Sequence, residues 1–415
     1  MRILFVVHQF FPEFHSGTER VTLNLARAAQ RAGHAVQVLG CAVQPDRHPG
    51  PAVPQLPGAV AGLVDGVPTT MLARAGLPAS ADTSLEVDEA MTEALRAWMV
   101  SQRFDVVHLM HSMRMASAAA AAQRAGLPLV LTLTDFFLAC MRINLIDLDR
   151  RACAGPEQGR ACARKCLAPA WSGPALRLRH EHAYSLLSYA SARVVPSPWV
   201  ASRFAAAFAG LTFDVLPHGV DLLAMARAPR TASNPADPCT LVFAGSVIAP
   251  KGLHVLLEAL ALVPRLPLNL EVLGGFHDDL QYEARIRELA AADPRVVLRG
   301  HCTAQEVAAT LQRAALLCLP SLVPESFSLV LHEAAALGVP ALVANRGAPA
   351  DAVRASEAGA VVSSDDPREW AQALRRWASD PDQAQRWRQA VPLPLRVEEE
   401  AFLYEGLYRR ARVRI

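Results

Sequence analysis

Glu325 and Glu333 stand eight residues apart in a short stretch that runs from Pro320 to Gly338. An apolar run, Leu316 to Leu319, precedes them and reads as a buried strand. Proline punctuation follows, and a helical pattern then runs from about Ser328 to Gly338. Glu325 therefore falls in the loop after a strand, and Glu333 one to two turns into the helix. Phe327, Ser328, Leu329 and Val330 would offer the free N–H groups of a helix start, which favour phosphate. Carboxylates at two depths around that point suit sugar hydroxyls, which are good hydrogen-bond donors. The chemistry implied is a phosphate cradle flanked by two hydroxyl acceptors.

The elements that must position these groups alternate along the whole chain. Strand candidates in the first half are Arg2–Val7, Ala35–Gly40, Val106–Leu109, Leu129–Leu133, Arg193–Val195 and Phe213–Leu216. Helix candidates there are Gly17–Ala32, Ser84–Arg103, Met115–Ala125, Leu176–Ala192 and Pro198–Phe208. Five prolines mark residues 41–58 as a loop. The second half repeats the pattern, with strands at Thr240–Ala244, Leu268–Leu273, Arg295–Arg299, Leu316–Leu319, Ala341–Val343 and Gly359–Val362. Helices over 252–263, 279–292, 303–314, 328–338 and 367–379 separate them. Continuous apolar strands alternating with helices imply an α/β fold of two doubly wound, Rossmann-like parallel sheets. The blocks are expected over 1–216 and 217–397, joined at Leu216 to Asp221 and a loose polar segment to about Pro238. A last helix over 398–415 could return to the first block. Open sheets of this kind bind ligands at the carboxyl ends of their strands.

Composition narrows the function. With 415 residues, two domains are expected. A net charge of +2 and no long basic run argue against a nucleic-acid partner. The apolar run Ile3 to Val7 is too short for a signal peptide or a membrane span, so the chain reads as cytoplasmic. Arg177, Arg179, His180 and His182 lead an apolar helix. That fits a peripheral contact at the inner membrane face, against the plainer reading of a solvated helix end. Of 41 Lys and Arg residues only Lys165 and Lys251 are lysines, which reads as GC-rich coding bias and singles out Lys251.

The ordered motifs resemble glycosyltransferase family 4, with its GT-B fold, over nearly the whole length. Ser16-Gly17-Thr18-Glu19-Arg20 is similar to the family opening, and Asp105-Val-Val-His108 to its central N-domain strand. Pro217-His-Gly-Val-Asp221 is similar to the interdomain crossover. Gly245-Ser246 with Lys251-Gly252 resembles the first loop of the nucleotide domain, and Glu325 to Glu333 its glutamate pair. The resemblance implies retaining transfer of a sugar from a nucleotide-diphosphate sugar to a glycan, lipid-linked or small-molecule acceptor. It implies no divalent metal or other cofactor for the chemistry, phosphate charge being met by basic side chains and helix dipoles.

The resemblance also assigns roles. Lys251 would contact the donor diphosphate, with Ser246 standing where the family often has Arg. Glu325 would face the donor sugar, Phe327 to Val330 would present amides, and Glu333 would take ribose hydroxyls. Ser328 replaces a frequent family Gly. Gly17 would let the first loop approach the phosphates, or simply start a helix, and Glu19 and Arg20 would serve the helix alone. His111 would face the donor sugar, with His108 as the competing imidazole. Asp135 would bind acceptor hydroxyls or cap a turn.

Cys140, Cys153, Cys162 and Cys166 cluster in an insertion at about 135–170, after Asp135-Phe136-Phe137, a feature a subset of the family resembles. Four thiolates would suit a closed structural Zn²⁺ site, although no CxxC pair is present. Free structural cysteines and disulfides are the alternatives. Among other functions, a dinucleotide-dependent oxidoreductase lacks its GxGxxG after the first strand. A nucleotide-sugar epimerase of the same fold and a non-catalytic sugar-nucleotide-binding protein remain as alternatives.

Overall fold

The computed structural model describes residues 1–166, 171–222, 238–277, 279–363 and 365–413. The chain divides into two compact units, Met1–Gly219 with Val397–Ile415, and Val220–Arg396. The polar segment expected after Asp221 lies largely outside the described residues.

The first unit is built on eight strands: β1 (Arg2–Val6), β2 (Ala35–Ala42), β3 (Ala59–Val64), β4 (Val67–Ala73), β5 (Val106–Leu109), β6 (Leu129–Thr132), β7 (Ala192–Val195) and β8 (Asp214–Val215). Their order is β3-β4-β2-β1-β5-β6-β7-β8, parallel throughout except for the β3–β4 hairpin. β1, β5 and β6 are almost wholly buried and apolar, as parallel strands covered on both faces must be. Their side chains join Trp98, Phe204 and Phe208 in one core. The β3–β4 hairpin was not anticipated, although Asp65-Gly66 carries its signature. Both residues have positive φ, 46° and 80°, as a tight two-residue turn requires. The helix expected from Ser84 begins only at Glu89, because the Asp88 carboxylate accepts the Met91 N–H and fixes the start there.

The second unit has six parallel strands: β9 (Cys239–Ala244), β10 (Leu268–Leu273), β11 (Val296–Gly300), β12 (Leu316–Leu319), β13 (Ala341–Ala344) and β14 (Gly359–Val362), in the order β11-β10-β9-β12-β13-β14. Two of its helices, Gly347–Ser356 and Pro381–Ala390, were not foreseen. Asp380 caps the second of them by accepting the Gln383 N–H, and Pro381 is tolerated at the first helical position.

Each sheet reverses its direction of winding once, between β1 and β5 in the first unit and between β9 and β12 in the second. Such a reversal leaves a crevice at the carboxyl ends of the two strands, where open α/β sheets bind ligands. Among the described residues no helix is long and apolar enough to cross a membrane.

The C-terminal helix Val397–Val413 belongs to the first unit and is latched through a buried histidine. His108 bonds Tyr408 Oη through Nδ1 and Thr132 Oγ1 through Nε2, both at 2.7 Å, and Tyr404 Oη joins Thr132 at 2.7 Å. Burial, then the nearby His218, pushes the His108 imidazole down to about 3. The unfolded chain, with an ordinary imidazole near 6.5, therefore binds a proton that the folded state refuses. Stability should fall as pH drops below about 6.5, by up to roughly 1.4 kcal/mol per unit for this one proton. Denaturant titrations of wild type and His108→Gln between pH 7 and 4 should show a shallower slope in the variant; identical slopes would contradict the assignment.

Candidate active site

In the second unit the crevice between β9 and β12 is closed by an ion pair. Lys251 lies in the loop after β9 and Glu325 in the loop after β12, with Nζ and Oε1 2.9 Å apart. Leu322 N–H donates to the Pro250 carbonyl at 2.8 Å and ties the two loops together. The Glu325 side chain is 11% exposed, and Ser321 Oγ also donates to it. Burial alone would push this carboxyl up. Lys251 and the Ser321 hydroxyl more than offset that, and it is held below the usual range as a carboxylate.

The helix Leu329–Ala336 starts beside Glu325. Ser328 caps it with φ +69° and ψ 90°, a conformation that glycine adopts freely and serine does not. Its hydroxyl is buried and without a geometrically sound hydrogen bond. Phe327 stacks flat on His332, centroids 3.8 Å apart and planes 5° apart, and His332 Nδ1 donates to the Ser328 carbonyl at 3.0 Å. These contacts hold the backbone of 327–329 at the helix start. Glu333 is half-buried in the second turn. Ser246, at the end of β9, is bonded to His277 Nε2 at 3.1 Å.

The residue that fixes Glu325 from behind was missed. Gly347 is the first residue of the helix Gly347–Ser356 after β13, with φ +66°, and a Cβ there would meet the Glu325 carbonyl oxygen at 2.4 Å and its nitrogen at 2.5 Å. The next residue, Ala348, donates its N–H to that carbonyl at 2.9 Å. Only the left-handed backbone without a side chain allows this approach. A glycine shortly after a buried strand was the available signal.

In the first unit the crevice between β1 and β5 is filled by imidazoles. His111 follows β5 and His8 follows β1; their ring centroids are 3.9 Å apart. His111 Nε2 donates to Asp135 Oδ2 at 2.7 Å, while Asp135 Oδ1 accepts the Phe137 N–H at 2.8 Å. His108 lies apart from this cluster, in the latch of the C-terminal helix. Gly17 is exposed at the first position of the helix Gly17–Arg31. Glu19 does more than serve that helix: it is fully buried, accepts Ser16 Oγ at 2.5 Å, and lies 3.7 Å from His8 Nε2. Burial raises its carboxyl, against the pull of Ser16. Thr18 Oγ1 ties the helix start to Thr134 Oγ1 at 2.9 Å.

The four cysteines of the insertion are all free thiols, and burial raises Cys162 to about 11, with Cys140, Cys153 and Cys166 adding to the rise. The fold thus gathers them. Yet among the described residues no group of three or more His, Cys, Asp or Glu side chains is placed to hold a metal. Cys162 lies in the short helix Arg160–Lys165 and Cys166 caps its end, while Cys140 and Cys153 come from irregular chain. One expectation, at Arg179, needs correction. Arg179, read as part of a basic helix end, is buried and spans three carbonyls. Nε donates to Thr83 at 2.7 Å, Nη1 to Leu138 at 3.3 Å and Nη2 to Phe137. It anchors the insertion and is unavailable to a membrane surface.

Comparison with known proteins matches this architecture. A family model described as Glycosyltransferase Family 4 matches residues 15–223, and one described as Glycosyl transferases group 1 matches 227–392. The chain belongs to glycosyltransferase family 4. Similar curated proteins include a D-inositol 3-phosphate glycosyltransferase of Pseudarthrobacter chlorophenolicus, 33% identical over 180 residues, 40% of this chain and 42% of that one. Another, from Catenulispora acidiphila, is 28% identical over 67% of this chain and 65% of its own length. The chain spans less than half the length of the first curated relatives it matches. Among solved structures, sucrose-phosphate synthase of Thermosynechococcus elongatus superposes with a TM-score of 0.72 at 18% identity, covering 100% of both chains. Anabaena HepE in complex with UDP and glucose gives 0.68 at 16% identity, covering 98% of both. At such identities the likeness is one of fold.

The close approach at Gly347 is testable. Gly347→Ala should lower the thermal midpoint clearly more than Gly338→Ala, where φ is +69° but nothing lies within 4 Å of a new Cβ. Scanning calorimetry showing equal losses would mean that backbone strain alone acts and that Gly347 does not press on Glu325.

Proposed function

We propose that this chain is a retaining glycosyltransferase that takes its sugar from a nucleoside-diphosphate sugar and delivers it to a hydroxyl of a glycan, lipid-linked or small-molecule acceptor. The observation that carries the reading is the Lys251–Glu325 pair at the β9/β12 crevice, beside the start of the helix Leu329–Ala336. A diphosphate placed there meets one ammonium and the free N–H groups of a helix start. Lys251 then exchanges Glu325 for phosphate, and Glu325 becomes free to accept hydrogen bonds from sugar hydroxyls. Glu333 is assigned to the ribose, and His111 and Asp135 to hydroxyl recognition. Anabaena HepE, of the same fold, has been solved in complex with UDP-glucose, which supports a nucleotide sugar as donor.

In the proposed transfer the bond between the anomeric carbon and the diphosphate oxygen breaks. The acceptor oxygen bonds to that carbon on the same face, and the acceptor proton passes to the departing phosphate oxygen. The residues stabilise the leaving diphosphate and hold the reactants in place. Phosphate charge is assigned to Lys251 and the helix start, with no divalent metal in the chemistry.

A thermal-shift panel of UDP, GDP, ADP, dTDP and their sugar conjugates tests the donor reading. One nucleotide should stabilise the protein, by about 2.7 kcal/mol at a hundredfold excess over its dissociation constant. No shift with any of them would overturn the reading. With the nucleotide that responds, Lys251→Ala should weaken diphosphate binding about tenfold or more, the loss of a charge-assisted contact. Glu325→Gln releases Lys251, so diphosphate binding should hold or tighten while transfer falls strongly. Calorimetry and a product assay separate the two effects, and full activity in Glu325→Gln would remove its assigned role.

A further inference from the structure

The crevice of the first unit holds an imidazole that the assignment above leaves unused. His8 stands two residues beyond β1, beside His111. Both nitrogens of His111 are engaged: Nδ1 accepts the Met113 N–H at 3.2 Å and Nε2 donates to Asp135. His8 is the reverse. Its Nδ1 is buried without a partner among the described residues, and its Nε2 lies 3.7 Å from Glu19 Oε1, beyond hydrogen-bond distance. The residue is 9% exposed, yet its side chain keeps 11% of its surface open. Nε2 is thus the ring nitrogen that is neither hydrogen-bonded nor closed off by the chain, and it is the atom a ligand can reach.

The surroundings say what that would be. Two carboxyl groups, Glu19 and Asp135, flank the stacked rings, which disfavours an anion. Burial, with His111 and Arg114 adding to it, holds His8 well below the usual imidazole range, so the ring is neutral and offers one donor and one acceptor. A hydroxyl offers the complement. Placed at Nε2, it would bond the imidazole, with the buried Glu19 carboxyl 3.7 Å behind that nitrogen. We propose that His8 is a hydroxyl-binding residue for one of the two sugars or polyols of the transfer reaction, with Glu19 as the positioning residue behind it. The inference rests on the proposed transferase function. It sets a second imidazole, with a nitrogen still open, beside His111, whose own nitrogens are engaged within the protein.

The test compares wild type with His8→Phe, which keeps a ring against His111 and removes both nitrogens. The probes are the nucleotide sugar that gives the largest thermal shift, its parent nucleoside diphosphate, and an acceptor found by product assay. The dissociation constant of the nucleoside diphosphate should stay within about twofold. Either the dissociation constant of the nucleotide sugar or the KM of the acceptor should rise about tenfold, and which one rises identifies the transferred sugar or the acceptor as the bound partner. Glu19→Gln should move the same constant in the same direction by less, with kcat falling less than kcat/KM. If His8→Phe does not fold, His8→Leu replaces it. Unchanged constants for nucleotide sugar and acceptor in a folded variant overturn the inference while leaving the transferase reading intact. A wild-type protein that responds to no nucleotide overturns that reading and this inference with it.

Discussion

The ion pair between Lys251 and Glu325 is the interaction on which the second unit's site depends. A carboxylate as enclosed as Glu325 is costly to keep ionised, and the lysine 2.9 Å away with the Ser321 hydroxyl makes it affordable. The pair also records the direction of the sheet. It forms only because β9 and β12 are neighbours whose connections depart to opposite sides, leaving their following loops face to face. Removing either partner leaves the other uncompensated. The arrangement therefore suits a site where an incoming diphosphate replaces one partner and incoming hydroxyls satisfy the other.

The first unit solves the same topological problem with different chemistry. Its reversal, between β1 and β5, is filled by two stacked imidazoles with a carboxyl group on each side. The second crevice is arranged around a charge and the first around neutral and hydrogen-bonding groups. That division matches what each would handle in a glycosyl transfer, phosphate in one and sugar hydroxyls in the other. Arg179 supports it from a distance by holding the carbonyls of Phe137 and Leu138, just beyond Asp135.

Much of this was legible in the residue order. Alternating apolar runs gave both parallel sheets, because strands covered on two faces have little choice of composition. Lysine scarcity and the loop position of Glu325 picked out the two residues that the fold brings together. What escaped depends on contacts across the chain. His8 carries no local signal, since its stack on His111 arises from a pairing of β1 with β5 about a hundred residues away. Gly347 is one glycine among 23, and only the approach of the Glu325 backbone distinguishes it. Glu19 looks like an ordinary first-turn acid until its burial is known. The β3–β4 hairpin, by contrast, was written in Asp65-Gly66 and was overlooked in a proline-rich neighbourhood. The cysteine clustering suggested metal despite a spacing without CxxC, and among the described residues no three of the thiols are placed as ligands.

The most direct measurement of the central claim is peptide-level hydrogen–deuterium exchange with and without the nucleoside diphosphate that gives the largest thermal shift. Slowed exchange confined to the loop 245–252 and to residues 320–333, with little change at the β14 end of the same sheet, is the predicted result. Protection elsewhere in the second unit, with those two segments unchanged, would contradict a donor site at the β9/β12 crevice.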